Sequence, residues 1–333
     1  DRIYHTNQQG LAYRFNNGVP NRLTMVLNNF RQQEHVRGGA AYVQDQWTLG
    51  RLTVQGGLRY DYGSADSPEQ TVGPDRWIPT AIVFPAQDEV RGYRDISVRG
   101  GLAYDVFGNG KTSLKFNAGR YVDTVQWTGI YADTNPTLAN LGAGTPPQTN
   151  RSWTDANRNY VADCNLLNPL AQDLRATGGD FCGALDNLNF GKVQNPTNTY
   201  DQALLGGWGI RPHNLQVGGS IQQEVLPRLS VEVGYSQRWF PVLTATDNRA
   251  VTPADYSPYS VTAPLDSRLP GGGGYVISDL YDISPALFGR TDNLVTFADN
   301  FGGSGYYWHG VDVNASARLA GWLTVQGGTS TGR

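Results

Sequence analysis

The sequence predicts an all-β chain of antiparallel hairpins: a transmembrane β-barrel segment of about ten strands, an incomplete barrel, with short turns at one end and long loops at the other. Three observations predict it. Apolar and polar residues alternate over strand-length stretches, the period-two pattern of a strand with one apolar and one polar face. Tight turns and long irregular segments follow each other in regular order, so every tight turn falls at one end of the sheet. No run of about 18 apolar residues occurs, which excludes a transmembrane helix and leaves only strands to cross a bilayer.

The clearest unit is the stretch 96–122. Ile96, Val98, Leu102, Tyr104 and Val106 fall on one face, and Ser97, Arg99, Ala103 and Asp105 on the other. Phe107-Gly108-Asn109-Gly110 supplies residues that tolerate positive φ in a tight turn. The return arm sets Thr112, Leu114, Phe116 and Ala118 opposite Ser113, Lys115 and Asn117.

Taken in order, strands are expected at 11–16 and 22–30, around Asn17-Gly18-Val19-Pro20. A hairpin follows with arms 36–47 and 52–62, then a Pro/Gly/Asp-rich stretch over 63–95 without sustained period. Beyond the 96–122 hairpin lies a long loop, 123–211, containing both cysteines. The next hairpin has arms 214–225 and 229–240. A second long loop spans 244–306, and the last hairpin has an arm at 311–319 and another starting at Trp322. Structureless connections beyond about 15 residues are uncommon in compact soluble domains. Placed on one side of a sheet, they fit a barrel with short periplasmic turns and long extracellular loops. The whole of 1–333 is expected to be part of one such domain.

Face composition agrees. The apolar face is thinned by Gly and Ala, which lipid tails tolerate by filling gaps. The opposite face bears Arg59, Asp61, Arg99, Asp105, Lys115 and Glu224, expected to line a hydrated lumen. Trp47, Tyr60, Tyr62, Tyr104, Tyr121 and Trp239 sit near strand ends, where an aromatic girdle would lie.

The net charge of −3 excludes a general basic field, so no nucleic-acid partner is expected. Cys164 and Cys182 are the two cysteines; in a strand-rich, Tyr-rich chain they suggest one disulfide and an oxidising compartment. Asp1-Arg2-Ile3-Tyr4 has neither the charged nor the apolar region of a signal peptide, and both ends read as cuts through a larger protein.

The stretches VQDQWTLGRLTVQGGLRYDY (43–62) and ISVRGGLAYDVFGNGKTSLKFNAGRYV (96–122) resemble hairpins of TonB-dependent outer-membrane receptors. NRSWTDANRNYVADCNLLNP, NLQVGGSIQQEVLPRLSVEVGYSQRWF, DNRAVTPADYSPYSVTAPLDSRLPGGGGY and WHGVDVNASARLAGWLTVQGGTSTGR are similar to the large-looped, Oar-like group of that family. The resemblance implies a Gram-negative-type cell outer membrane, a closed barrel of about 22 strands around a plug, and outer-membrane lipid as neighbour. It also implies a carboxypeptidase-regulatory-like domain upstream, and uptake of a scarce nutrient driven through the TonB complex. Plug and TonB-contacting segment are not in this sequence. The alternative is a structural or adhesive surface barrel without active transport. A barrel enzyme would need His and acidic groups meeting at the loop end, and a soluble sandwich that binds carbohydrate is a further class; no enzyme is expected.

One loop invites a cofactor. Asp155, Asn157, Asn159 and Asp163, with the Val161 carbonyl, fall at positions 1, 3, 5, 9 and 7 of a calcium loop. Tyr160 stands where Gly is usual and Leu166 where a bidentate Glu is usual. The two readings are a structural calcium site and an Asx-rich turn whose side chains bind their own backbone. His5, His35, His213 and His309 are scattered without zinc spacing. Ser304, His309 and Asp312 are near each other only in sequence. Gly271 to Gly274 lack the Lys-Ser/Thr of a phosphate loop and are expected to let the chain pass close to a neighbour. Trp127, Trp153, Trp208 and Tyr256 could stack on sugars in the loops.

Overall fold

A computed structural model describes residues 2–4, 10–27, 30–125, 129–141, 147–303 and 305–333. Eight long strands form a simple meander: β1 (His35–Leu49), β2 (Leu52–Ser67), β3 (Gln87–Asp105), β4 (Thr112–Val122), β5 (His213–Leu226), β6 (Leu229–Phe240), β7 (Tyr306–Ala320) and β8 (Leu323–Gly332). Each pairs antiparallel with the next. A ninth, short strand, Gly206–Trp208, runs parallel to β3 at Gly92–Arg94. Among the described residues β1 and β8 pair on one side only, so the sheet is open.

The register makes the two faces continuous across strands. Val43 pairs with Leu58, Leu58 with Val98, Leu102 with Phe116, Leu114 with Ile221, Ile221 with Val233, and Val233 with Val313. These side chains are all exposed. An exposed apolar face spread over eight strands exceeds the few hundred Å² usual on a soluble monomer. Asp45 on β1, opposite Gly56 on β2, is a carboxylate on this mainly apolar face.

The tight turns β1–β2, β3–β4, β5–β6 and β7–β8 lie at one end. In the second, Asp105 accepts hydrogen bonds from the Gly108 and Gly110 amides at 3.0 and 2.8 Å, and both glycines have positive φ. That explains the Gly-Asn-Gly spacing, since the turn needs left-handed residues whose amides point back at a carboxylate.

The first two expected strands form but are not barrel staves. Leu11–Asn16 and Val19–Val26 join a separate five-stranded sheet with Gln148–Thr154, Gln172–Asp173 and Phe181–Cys182. Leu23, Met25, Trp77, Ile78, Trp153 and Cys182 are buried in its core. The physical reason is that period-two alternation specifies one buried face and not what buries it. The main apolar core thus lies in the connecting segments, while the meander's apolar face stays bare.

β2 and β3 also run beyond their expected ends into the stretch 63–95. Two register shifts, between Gly63 and Ala65 and between Ala65 and Asp66, break the period there and hide the strands. The extended part packs Ala65, Val90 and Tyr93 with Tyr131 in a second small apolar cluster. The loop 123–211 returns as Gly206–Trp208, and 244–306 contains Thr244–Asn248, Tyr256–Thr262, Val276–Ile283 and Asn293–Phe297.

Candidate functional site

The polar face of β1–β4 lines a groove of roughly 660 Å³. Tyr42, Gln44, Gln55, Arg59, Arg99, Asn117 and Tyr121 are among its walls. These residues alternate with the apolar ones named above, so one pleat sets both faces. Arg59 is paired with Asp61 at 2.9 Å. The Arg99 guanidinium lies over the Tyr121 ring, 4.3 Å from its centroid, a cation–π contact. Tyr121 therefore belongs to the groove and not to an outward girdle; Trp47, Tyr60 and Tyr104 are on the exposed apolar face.

Farther along the same polar face, Lys115 donates to Gln222 at 2.7 Å and lies 3.3 Å from Glu232, which also accepts from Ser220 at 2.7 Å. Glu232 is missing from the expected set because Ser, Val and Gly surround it in sequence and nothing there marks it. Two other expected groups turn to local work at the tight-turn end. Asp105 caps its own turn, and Glu224 accepts from the Arg228 amide at 3.0 Å. Of the six, Arg59, Asp61, Arg99 and Lys115 lie on the polar face of the sheet, each with a neighbouring partner.

Above the groove a buried ion cluster ties the long second connection to the wall. Asp95, fully buried, accepts from Arg211 Nε and Arg120 Nη2, each at 2.8 Å. Arg120 also donates to the Ile96 carbonyl at 2.8 Å, and its guanidinium lies 3.2 Å from His213 Nδ1. Only folding brings residues this far apart together, so sequence spacing holds no sign of them.

In the loop layer, Cys164 and Cys182 are joined in a disulfide with Cα atoms 6.4 Å apart. Arg151, 1% exposed, donates to the carbonyls of Gly183, Asn168 and Leu170. Asp180, fully buried, accepts from the Trp153 indole at 2.8 Å and from the Ala156 and Asp163 amides. Trp153 is thereby a core residue and unavailable for stacking on a ligand, whereas Trp208 and Tyr256 are exposed; Trp127 lies outside the described residues.

The 155–163 loop folds on itself. Asp155 accepts from the Asn159 and Tyr160 amides, Asn157 from the Asn159 amide, and Asn159 from the Val161 amide. The side-chain amides of Asn157 and Asn159 point at Asp163. Arg158 and Tyr160 hold positive φ, which costs a non-glycine residue strain. These are the contacts of an Asx-rich turn, and a calcium loop uses the same backbone bonds to aim its oxygens. Among the described residues no group of three or more His, Cys, Asp or Glu side chains is placed to hold a metal ion.

His35 pairs with Asp66 at 3.0 Å, and His5 and Ser304 lie outside the described residues. Gly271 to Gly274 all have positive φ, and a Cβ on Gly273 would strike the Pro264 carbonyl. The glycine run serves close passage of two chain segments.

The β-rich, antiparallel architecture with one bare apolar face is that of a barrel-like fold. Residues 2–157 match the family described as TonB dependent receptor-like, beta-barrel. That family is one of receptors rather than enzymes. No curated protein matches the chain.

Proposed function

We propose that this chain supplies wall and outward-facing loops of a TonB-dependent receptor in the outer membrane, which binds a scarce nutrient and imports it using proton-motive force delivered by the TonB complex. One observation carries the reading: the apolar face stays bare across eight strands while the loops bury a core of their own. A polypeptide spends its apolar side chains so only where another apolar medium, here outer-membrane lipid, covers them. The tight turns then face the periplasm and the long connections the exterior. The groove walled by Arg59, Asp61, Arg99 and Tyr121 faces the lumen, where it contacts plug or passing ligand.

In this reading energy coupling belongs to a plug and a TonB-contacting segment, and the family resemblance implies a carboxypeptidase-regulatory-like domain besides. The disulfide-pinned loop presents the 155–163 turn to the exterior, where millimolar calcium could occupy it through Asp155, Asn157, Asn159, Asp163 and the Val161 carbonyl. The test is uptake by cells expressing the full-length protein, using radiolabelled oligosaccharides, peptides and metal chelates. Uptake should vanish on deleting the TonB-contacting segment or collapsing the proton gradient. Uptake indifferent to both would overturn active transport, and surface binding without uptake would favour the adhesive barrel.

A further inference from the structure

Where β1, β2 and β3 rise out of the apolar band, two carboxylates are buried without an ion pair to a side-chain cation among the described residues. Glu34 immediately precedes β1. Glu89 sits in β3, where the register with β2 passes from Asp88 to Val90 and leaves it unpaired. No oxygen of either carboxylate accepts a hydrogen bond of good geometry, although the Ser67 hydroxyl lies close enough to Glu89 to favour its ionised form, and Glu89 is 2% exposed. Two neutral groups nearby share the condition. Ser67, opposite Gln87 and 1% exposed, has its hydroxyl beside Glu89 without a hydrogen bond of good geometry. Gln32, two residues before Glu34 and 3% exposed, leaves both amide atoms so.

The surroundings are largely apolar, and among the described residues no side-chain cation forms an ion pair with either carboxylate. Val36, Ala65, Val90 and Tyr131 form the adjoining apolar cluster. The neighbouring carboxylates of Asp66 and Asp133 add charge of the same sign. Asp66 is held by Arg37 and His35, and Asp133 accepts from the Tyr200 hydroxyl at 3.1 Å. Burial pushes Glu34 up to about 8, helped by Glu89, Asp133 and Asp66. Burial likewise pushes Glu89 up to about 7. A buried carboxylate without a partner must be neutralised by a proton or by a bound cation.

We infer that Glu34 and Glu89, with the Ser67 hydroxyl and the Gln32 carbonyl oxygen, form a site for a divalent cation of the calcium class. The donors are all oxygen, two of them anionic, with no His or Cys, which suits a hard cation and disfavours zinc or copper. Two carboxylates leave room for water to complete a coordination number of about six to eight. The ion would clamp the segment before β1 to the bulge of β3, and so fix the base on which the loop layer stands. This site is distinct from the 155–163 turn and does not depend on the transport reading.

The experiment uses the full-length protein purified in detergent and stripped with EDTA, in a background carrying Asp155→Ala and Asp163→Ala to silence the other loop. Calcium chloride is titrated at pH 7.5 by calorimetry, and thermal unfolding is recorded with and without calcium. Saturable binding and a calcium-dependent rise in melting temperature are expected. Glu34→Gln and Glu89→Gln should each weaken binding by at least about tenfold, and Ser67→Ala by less. Heat-modifiable gel mobility checks that each variant is folded. No saturable binding in this background, or binding that survives both Gln substitutions, overturns the site. Gln variants that melt higher at pH 8 while calcium has no effect on the parent would show a carboxyl pair neutralised by protons instead, which equally overturns it.

Discussion

Arg211 Nε donates to Asp95 Oδ2 at 2.8 Å, with the two side chains 2% and 0% exposed. Arg120 occupies the other carboxylate oxygen at 2.8 Å. The arrangement closes the 123–212 connection onto the wall at the top of β3. Removing one member of such a buried cluster strands the others. Asp95→Ala should therefore destabilise by about 3–5 kcal/mol, and protease should reach the connection in folded protein. Denaturant midpoints and limited trypsin digestion check this; a loss under about 1 kcal/mol would mean the cluster is hydrated and replaceable.

The two faces of β4 predict opposite sensitivities. Phe116 is exposed on the apolar face and Lys115 points to the polar one. Phe116→Arg should cost about 2–4 kcal/mol of folding free energy in a bilayer. Lys115→Ala removes an exposed ion pair and should cost about 1 kcal/mol or less. Folding titrations into phospholipid vesicles measure both, and equal effects would argue against lipid as the neighbour of the apolar face.

The disulfide closes a loop of 18 residues in sequence separation. Replacing Cys164 and Cys182 by Ser should lower stability by about 3 kcal/mol on the chain-entropy account. The loss should concentrate in the loop layer, because Cys182 belongs to its core, whose described members include no residue of the eight meander strands. Hydrogen exchange should show faster opening around Trp153 and Asp180 and unchanged protection in β5 and β6.

Stability should fall as pH rises in calcium-free solution. Glu34 and Glu89 have folded values of about 8 and about 7, above the ordinary 4.5. A carboxyl that holds its proton more tightly when folded favours the folded state below its unfolded value. That contribution is lost as pH climbs through the folded values. Between about pH 4.5 and 8 the denaturant midpoint should therefore drop, and Glu34→Gln with Glu89→Gln should flatten the slope. A midpoint that rises over this window would refute the assignment.

The 155–163 turn offers a separable calcium test. Calcium should slow hydrogen exchange at the Asn159, Tyr160 and Val161 amides, and Asp163→Ala should abolish the effect. Exchange indifferent to calcium would leave the turn as Asx hydrogen bonding alone, which the contacts from Asp155, Asn157 and Asn159 already support.

The hairpins of the wall were legible in the sequence. The arms at 214–225 and 229–240 correspond to His213–Leu226 and Leu229–Phe240 within two residues at each end. The stretch 63–95 was not, because bulges interrupt the period where β2 and β3 continue. That Arg59, Asp61, Arg99 and Lys115 share one face of the sheet was readable from alternation alone. Glu232, Asp95, Arg211 and Asp180 were not: each acquires its meaning from a partner distant in the chain.

By itself, then, the sequence determined what is local: period-two strands, the turns that join them, and the side of the sheet on which each residue falls. These follow from backbone geometry and from the conformations that Gly and Asn permit. Tertiary structure alone decided which strands share the meander and which build the loop core. It also decided that Asp95 meets Arg211, and that Glu34 and Glu89 lose water without an ion pair to a side-chain cation among the described residues. Alternation specifies a buried face, whereas the identity of what buries it depends on contacts between segments far apart in the chain.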